Sequence, residues 1–305
     1  MTRFLIRRLL WSALAILGVS TIVFVVLHFS GDPAALLLPP TGTREDYQAL
    51  RRLLGLDRPL GVQYAAFLLR AARGDFARSF QYDQPSLEVV LERLPATFQL
   101  TAVAIGLIIL VAVPLGVASA VFRNSWIDHM GSALTLAGQA APNFWLGVML
   151  ILFFSVELRW LPTSGRGSLA HLVLPGVTLA LQPLAKITRL TRSEMLDVLG
   201  QDFIRTARAK GLAAAAVVVR HALKNASIAI VTVIGLDLGY LLGGAIITES
   251  VFAWPGMGRL AVEAISNRDF PVVQAAVFVI ALLVVAVNLA VDLVYVYLDP
   301  RVRLG

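Results

Sequence analysis

Side chains able to do covalent chemistry are few in this sequence and poorly spaced for it. There is no cysteine, which excludes disulfides, thiolate nucleophiles and cysteine metal sites. His28, His129, His171 and His221 stand far apart without metal-ligand spacing. No G-x-x-x-x-G-K-[S/T] phosphate loop occurs, so neither a catalytic centre, a metal site nor ATP hydrolysis is expected of this chain. Asp237 and Asp292 fall inside apolar runs at different depths of their segments, an arrangement that disfavours an intramembrane hydrolase. The neutral polar residues in such runs, Gln139, Asn143, Gln182 and Asn288, are sparse for an ion-coupled carrier, which usually shows a midplane site and inverted repeats. The informative chemistry is that of a contact surface. Asp202-Phe203-Ile204-Arg205-Thr206-Ala207-Arg208-Ala209-Lys210-Gly211-Leu212 interleaves small residues with cations and stops at glycine. This describes a short helix that a groove on another protein can approach, its rim anchored by Arg and Lys. A basic helix lying on the membrane is the alternative.

The elements that hold these residues are membrane spans. The chain has 305 residues, 58% hydrophobic and 15% charged, with a mean hydropathy of +0.78. Soluble domains are less apolar and more charged than this. Apolar runs at 9–29, 98–121, 134–157, 170–188, 227–247 and 275–297 are long enough to cross about 30 Å of hydrocarbon. The fold class expected is therefore all-α integral membrane, with six transmembrane helices. The first run is too long for a signal-peptide core and lacks a small-residue cleavage site, so it is expected to be retained. Net charge is +7, but its location matters more. Arg3, Arg7 and Arg8 at the start, and Lys186 to Lys224 around the 189–226 loop, place most short-loop cations on one side. Both termini are then cytoplasmic by the positive-inside rule, and residues 30–97 form a small helical extracytoplasmic insert after the first helix. Thr43-Arg44-Glu45-Asp46 is a capped helix start in that insert, with Gly55 as its stop. A second amphipathic helix begins near Ser86. The division expected is 1–97, first helix plus insert, and 98–305, a five-helix core carrying the cytoplasmic loop. Gly235, Gly239 and Gly243 make one stripe on the fifth span, where a helix of this chain or of a partner can pack closely. Pro114, Pro142, Pro175 and Pro183 interrupt helical hydrogen bonds within the spans.

Several motifs resemble one family along the whole chain: the permease subunits of bacterial ATP-binding-cassette importers, in the dipeptide, oligopeptide and nickel branch. Arg205-Thr206-Ala207 occupies the E-A-A positions of that family's cytoplasmic loop, Gly211 its glycine, and His221 to Lys224 its final group. Arg-Thr-Ala-Arg-Ala-Lys-Gly-Leu followed by Arg-His-Ala-Leu-x-Asn-Ala is similar to the peptide-branch version. So are Gly31-Asp32-Pro33, Leu54-Gly55-Leu56-Asp57, Gly74-Asp75-Phe76, Leu161-Pro162, Glu249 to Gly258 and the closing Asp299-Pro300-Arg301-Val302-Arg303. The resemblance implies half of a translocation pathway for di- or oligopeptides, in a bacterial inner membrane. Glutathione, a nickel chelate or another small solute is the alternative cargo. It implies a homologous second permease, two ATPase subunits that hold ATP and Mg, and an extracytoplasmic solute-binding protein, with no cofactor in this chain and no nucleic acid. It further implies that Arg205, Thr206, Ala207, Arg208, Ala209, Lys210, Gly211 and Leu212 couple to the ATPase. Gln139, Asn143 and Asp237 are pathway candidates, and Glu249, Phe252 and Trp254 are expected at an outer gate or docking loop, the alternative being an interfacial aromatic belt that only positions the helix ends.

Overall fold

The computed structural model describes residues 2–38 and 41–298, so the closing Asp299–Arg303 motif lies outside the described residues. Among the described residues the regular structure is helical, apart from one isolated antiparallel bridge between Arg78 and Pro85. Chain contacts divide it into two units, Met1–Pro95 with Gly256–Val285, and Ala96–Pro255 with the chain from Ala286 onward.

In the first unit, α1 (Thr2–Ser30) is apolar on nearly all sides, and only 6% of its most hydrophobic stretch is buried within the chain. Such a helix is solvated by lipid or by another subunit. After a single turn at Pro33–Leu37 come α2 (Arg44–Leu53) and α3 (Leu60–Ala71). The capping box expected at Thr43 is present: the Thr43 hydroxyl accepts from the Asp46 N–H at 3.2 Å, and the Asp46 carboxylate accepts from the Thr43 N–H at 2.9 Å. That N–H bond, with the Thr43 hydroxyl, holds the Asp46 carboxyl below its ordinary range. Phe67, Phe76 and Val90 pack with Leu260, Val272 and Val273 from α10 (Met257–Ser266) and the first part of α11 (Phe270–Leu298). Buried Asp269 accepts the Ser79 hydroxyl and, at 3.3 Å, the Gln81 N–H, pinning residues distant in sequence.

Two features differ from the sequence expectation. The amphipathic segment starting at Ser86 and the span at 98–121 are one helix, α4 (Ser86–Val121), 36 residues long. At 1.5 Å per residue it is about 54 Å in length, so only part of it can lie in hydrocarbon. Pro95 removes one backbone bond without ending it, and a π-helical turn at Ile108–Ala112 widens it. The span at 134–157 is broken into α5 (Trp126–Ala140) and α6 (Asn143–Glu157), bent by 107°. Pro142 lacks an N–H and pushes Ala141 into extended backbone, φ −85° and ψ 128°. Among the described residues five helices are thus long and apolar enough to cross a membrane, and the bent pair makes a sixth span only when counted as one.

The second unit is organised on α7 (Ala170–Leu199), whose apolar stretch is 61% buried. It packs against α4, α5, α6 and the long helix α9 (residues 214–251). Close approach to α4 depends on Gly116, where a Cβ would lie 2.7 Å from the Thr188 carbonyl oxygen and 2.6 Å from Thr191 Cβ. Any larger residue there must separate the two helices.

Candidate functional site

Between α7 and α9 the chain turns through α8 (Asp202–Ala209), the helix expected at the cytoplasmic loop. Ile204 and Ala207, three apart, form its inner stripe, 0% and 6% exposed, in one cluster with Met195, Val198, Val217 and Ala222. Arg205, Thr206, Arg208, Ala209 and Lys210 are exposed. Ala207 is therefore held inward by its own chain, whereas the sequence pattern alone places it with the exposed surface. Phe203 and Leu212, 40% and 41% exposed, add apolar knobs to the outer face, and Phe203 lies outside the stretch that the family pattern marks. Gly211 stops the helix at φ +75°. Its N–H bonds to the Arg208 carbonyl at 2.9 Å and the Leu212 N–H to the Ala207 carbonyl at 3.4 Å, the paired bonds of a Schellman cap.

The polar residues in the spans meet partners that their spacing does not announce. Asp237 on α9 receives Lys186 Nζ of α7 at 2.7 Å, while its other oxygen, Oδ2, is buried without a hydrogen-bond partner. Tyr240 donates to the Gln182 side-chain carbonyl at 2.5 Å, and the Gln182 amide reaches the Ala141 carbonyl at the α5–α6 break at 3.4 Å. Gln139 is near the end of α5, and Asn143 opens α6 with its Oδ1 buried and unpaired. Thus Asp237 is joined to Lys186 and not to Gln139 or Asn143. Of the glycine stripe, Gly235 packs on Val291, where a Cβ would lie 2.8 Å from a Val291 methyl. Gly239 is half-buried, and Gly243 is exposed, with no atom within 4 Å of where its Cβ would stand. A second ion pair fastens α5 to α7: Arg192 donates to both Asp128 oxygens at 2.6 and 2.8 Å, and the Asn124 N–H adds a third bond at 3.0 Å.

Glu249, Phe252 and Trp254, expected at an outer gate or docking loop, are 0%, 2% and 1% exposed. The Thr97 hydroxyl donates to Glu249 at 2.7 Å, and Trp254 Nε1 donates to the Ala96 carbonyl at 2.9 Å. Arg166 lies 5.8 Å above the Trp254 ring and donates to Gln99 at 3.1 Å. Trp254→Phe removes the indole donor and part of a fully buried ring, so the lost hydrogen bond and the cavity together are expected to cost about 2–4 kcal/mol, read as a lowered unfolding temperature in mild detergent. An unchanged temperature would mean that neither the bond nor the packing of this ring contributes net stability.

Residues 112–304 match the family described as "Binding-protein-dependent transport system inner membrane component", and residues 1–101 match its N-terminal counterpart. Over 304 residues the chain is 40% identical to the glutathione transport system permease protein GsiC of Escherichia coli (strain K12), covering 99% of each. Over 332 residues it is 39% identical to the dipeptide transport system permease protein DppB of Alkalihalophilus pseudofirmus, covering 99% of this chain and all of that one. Among solved structures, an inward-facing form of the MetNI methionine ABC transporter aligns with a TM-score of 0.57 at 20% identity, over 69% of this chain and 96% of that one. An amino acid ABC transporter aligns at 0.52 and 16% identity, over 68% and 93%. At these identities the structures support the fold alone.

Proposed function

The chain belongs to the binding-protein-dependent transport system inner membrane components and is the permease subunit of an ABC importer in a bacterial inner membrane; from that premise we propose that its cargo is a dipeptide, oligopeptide or glutathione. Permeases of this family act with ATPase, binding-protein and further permease subunits. Here a homologous second permease completes the pathway. Two ATPase subunits hold ATP and Mg and carry out the hydrolysis, so this chain is not itself an enzyme. Both termini and α8 are cytoplasmic in this reading, and residues 30–97 face the binding protein.

The observation that carries the coupling role is the two-sided build of α8. One stripe is locked into its own chain, and the opposite stripe offers Phe203, Arg205, Thr206, Arg208 and Lys210 to a partner. Nucleotide binding favours one arrangement of the ATPases, and a rigid helix transmits that preference to the spans. Moving an equilibrium from 1:99 to 99:1 needs about 5.5 kcal/mol of differential stabilisation, more than a loose loop transmits. The exposed Gly243, with the half-buried Gly239, is offered to the second permease, where small residues permit close helix approach. Burial of Glu249, Phe252 and Trp254 against their own chain supports an internal brace of the outer loop more than an exposed landing surface.

Purification of the tagged chain from its native membrane in mild detergent is expected to recover a second permease together with ATPase subunits. Reconstituted vesicles should then take up solute only with ATP and binding protein. A chain recovered alone that transports without ATP would be a secondary carrier.

A further inference from the structure

One face of α7 does not suit a helix surrounded by lipid. Gln182, Lys186, Arg189 and Ser193 recur at steps of four, three and four residues, on one stripe of the helix. Gln182 is half-buried and the other three are exposed, whereas Leu184, Ala185, Ile187 and Thr188 between them are buried. Lys186, Arg189 and Ser193 stand in the half of α7 nearer the cytoplasm in this reading, where a polar stripe meets water, a subunit or a ligand more readily than hydrocarbon. Lys186 is paired with Asp237, yet its side chain remains 53% exposed. Arg189 makes no ion pair with a carboxylate among the described residues.

Beside Arg189 a cleft of about 250 Å³ opens between α5 and α7, lined by Ser132, Thr135, Gln139, Arg189 and Arg192 among others. No acidic side chain lines it. Arg192 is committed to Asp128, and the Thr135 hydroxyl donates to the Ser132 carbonyl at 2.7 Å. The charge left over is that of Arg189, with the Ser132 hydroxyl and the Gln139 amide as neighbouring donors. A guanidinium presents parallel N–H groups that match the two oxygens of a carboxylate. At about 30 Å³ per water the cleft holds some eight waters' worth of space, enough for one end of a peptide.

We propose that this cleft receives a carboxylate of the transported solute, with Arg189 as its forked partner. The proposal rests on the import reading and narrows the cargo to solutes that carry a free carboxylate, as peptides and glutathione do and neutral sugars do not. Lys186, three residues earlier and about 4.5 Å along the helix axis, is the preceding cation on the same stripe. Its attraction is tempered by Asp237, which suits a route where each stop must bind weakly enough to release.

The test uses the complete complex with its binding protein in vesicles, at saturating binding protein. Uptake of dialanine and of glutathione is measured, each against its carboxamide, for wild type, Arg189→Gln and Arg189→Lys, alongside ATP hydrolysis. The wild type is expected to import at least one free acid about tenfold faster than its amide. Arg189→Gln should bring that ratio near one, and Arg189→Lys should keep part of it. A ratio that survives Arg189→Gln overturns the site alone, including the case where both rates fall equally because the guanidinium only anchors lipid headgroups. Loss of uptake together with hydrolysis marks a coupling defect and also overturns it. No ATP-driven uptake of either acid by the wild type overturns the dipeptide and glutathione cargo reading, and the site with it.

Discussion

Gly211→Pro is expected to abolish ATP-driven uptake while leaving the chain inserted in the membrane. Proline fixes φ near −65°, and the residue at this position sits at +75°. The substitution also removes the N–H that bonds to the Arg208 carbonyl, so α8 loses its terminating turn by two routes. A penalty of about 3 kcal/mol or more on the coupling-competent geometry corresponds to a loss of roughly a hundredfold or greater. Gly211→Ala keeps the N–H and meets no neighbouring atom, so it bears only the left-handed strain of about 1–2 kcal/mol and should retain part of the uptake. Uptake and ATP hydrolysis, measured on variants matched for membrane insertion, decide the point. Normal import by correctly inserted Gly211→Pro would remove α8 from the coupling path. Ala207→Trp is also expected to fail, but by disrupting the cluster of Met195, Val198 and Val217 within the chain itself.

Arg192→Ala should give a large stability loss. Asp128 is 3% exposed, and its two charge-assisted bonds to Arg192 are the main compensation for burying it. Removing the guanidinium leaves a buried carboxylate without its counter-charge, held only by the Asn124 N–H, a loss of about 3–5 kcal/mol. The measurement is thermal inactivation of the purified complex in mild detergent, followed as a half-life because unfolding of such assemblies is commonly irreversible. The double variant Asp128→Asn with Arg192→Met should recover much of the half-life, since it removes both charges together. If the single variant matches wild type, the pair is not what fastens α5 to α7.

The membrane class was plain in the sequence because hydrocarbon thickness sets a minimum apolar length, and five of the expected runs lie within helices long and apolar enough to span. The Thr43 cap and the Gly211 stop were equally legible, since each depends on residues within a few positions. The break in the third run was signalled by Pro142, but its 107° angle was not, because the direction of a bend is set by what the two halves pack against. The merger of the Ser86 segment with the following span was hidden because Pro95 resembles a boundary, while a helix can lose one hydrogen bond and continue.

The site residues divide along the same line. Sequence alone determined the residue types offered at α8, the absence of a phosphate loop and cysteine, and the family pattern that spans the chain. Tertiary structure decided that Ala207 faces inward, that Asp237 meets Lys186, that Asp128 holds Arg192, and that Arg189 is left beside a cleft without an acid. The reason is physical. Helical periodicity and capping act over one or two turns, so they can be read locally, whereas an ion pair 51 or 64 residues apart exists only once packing brings two helices face to face.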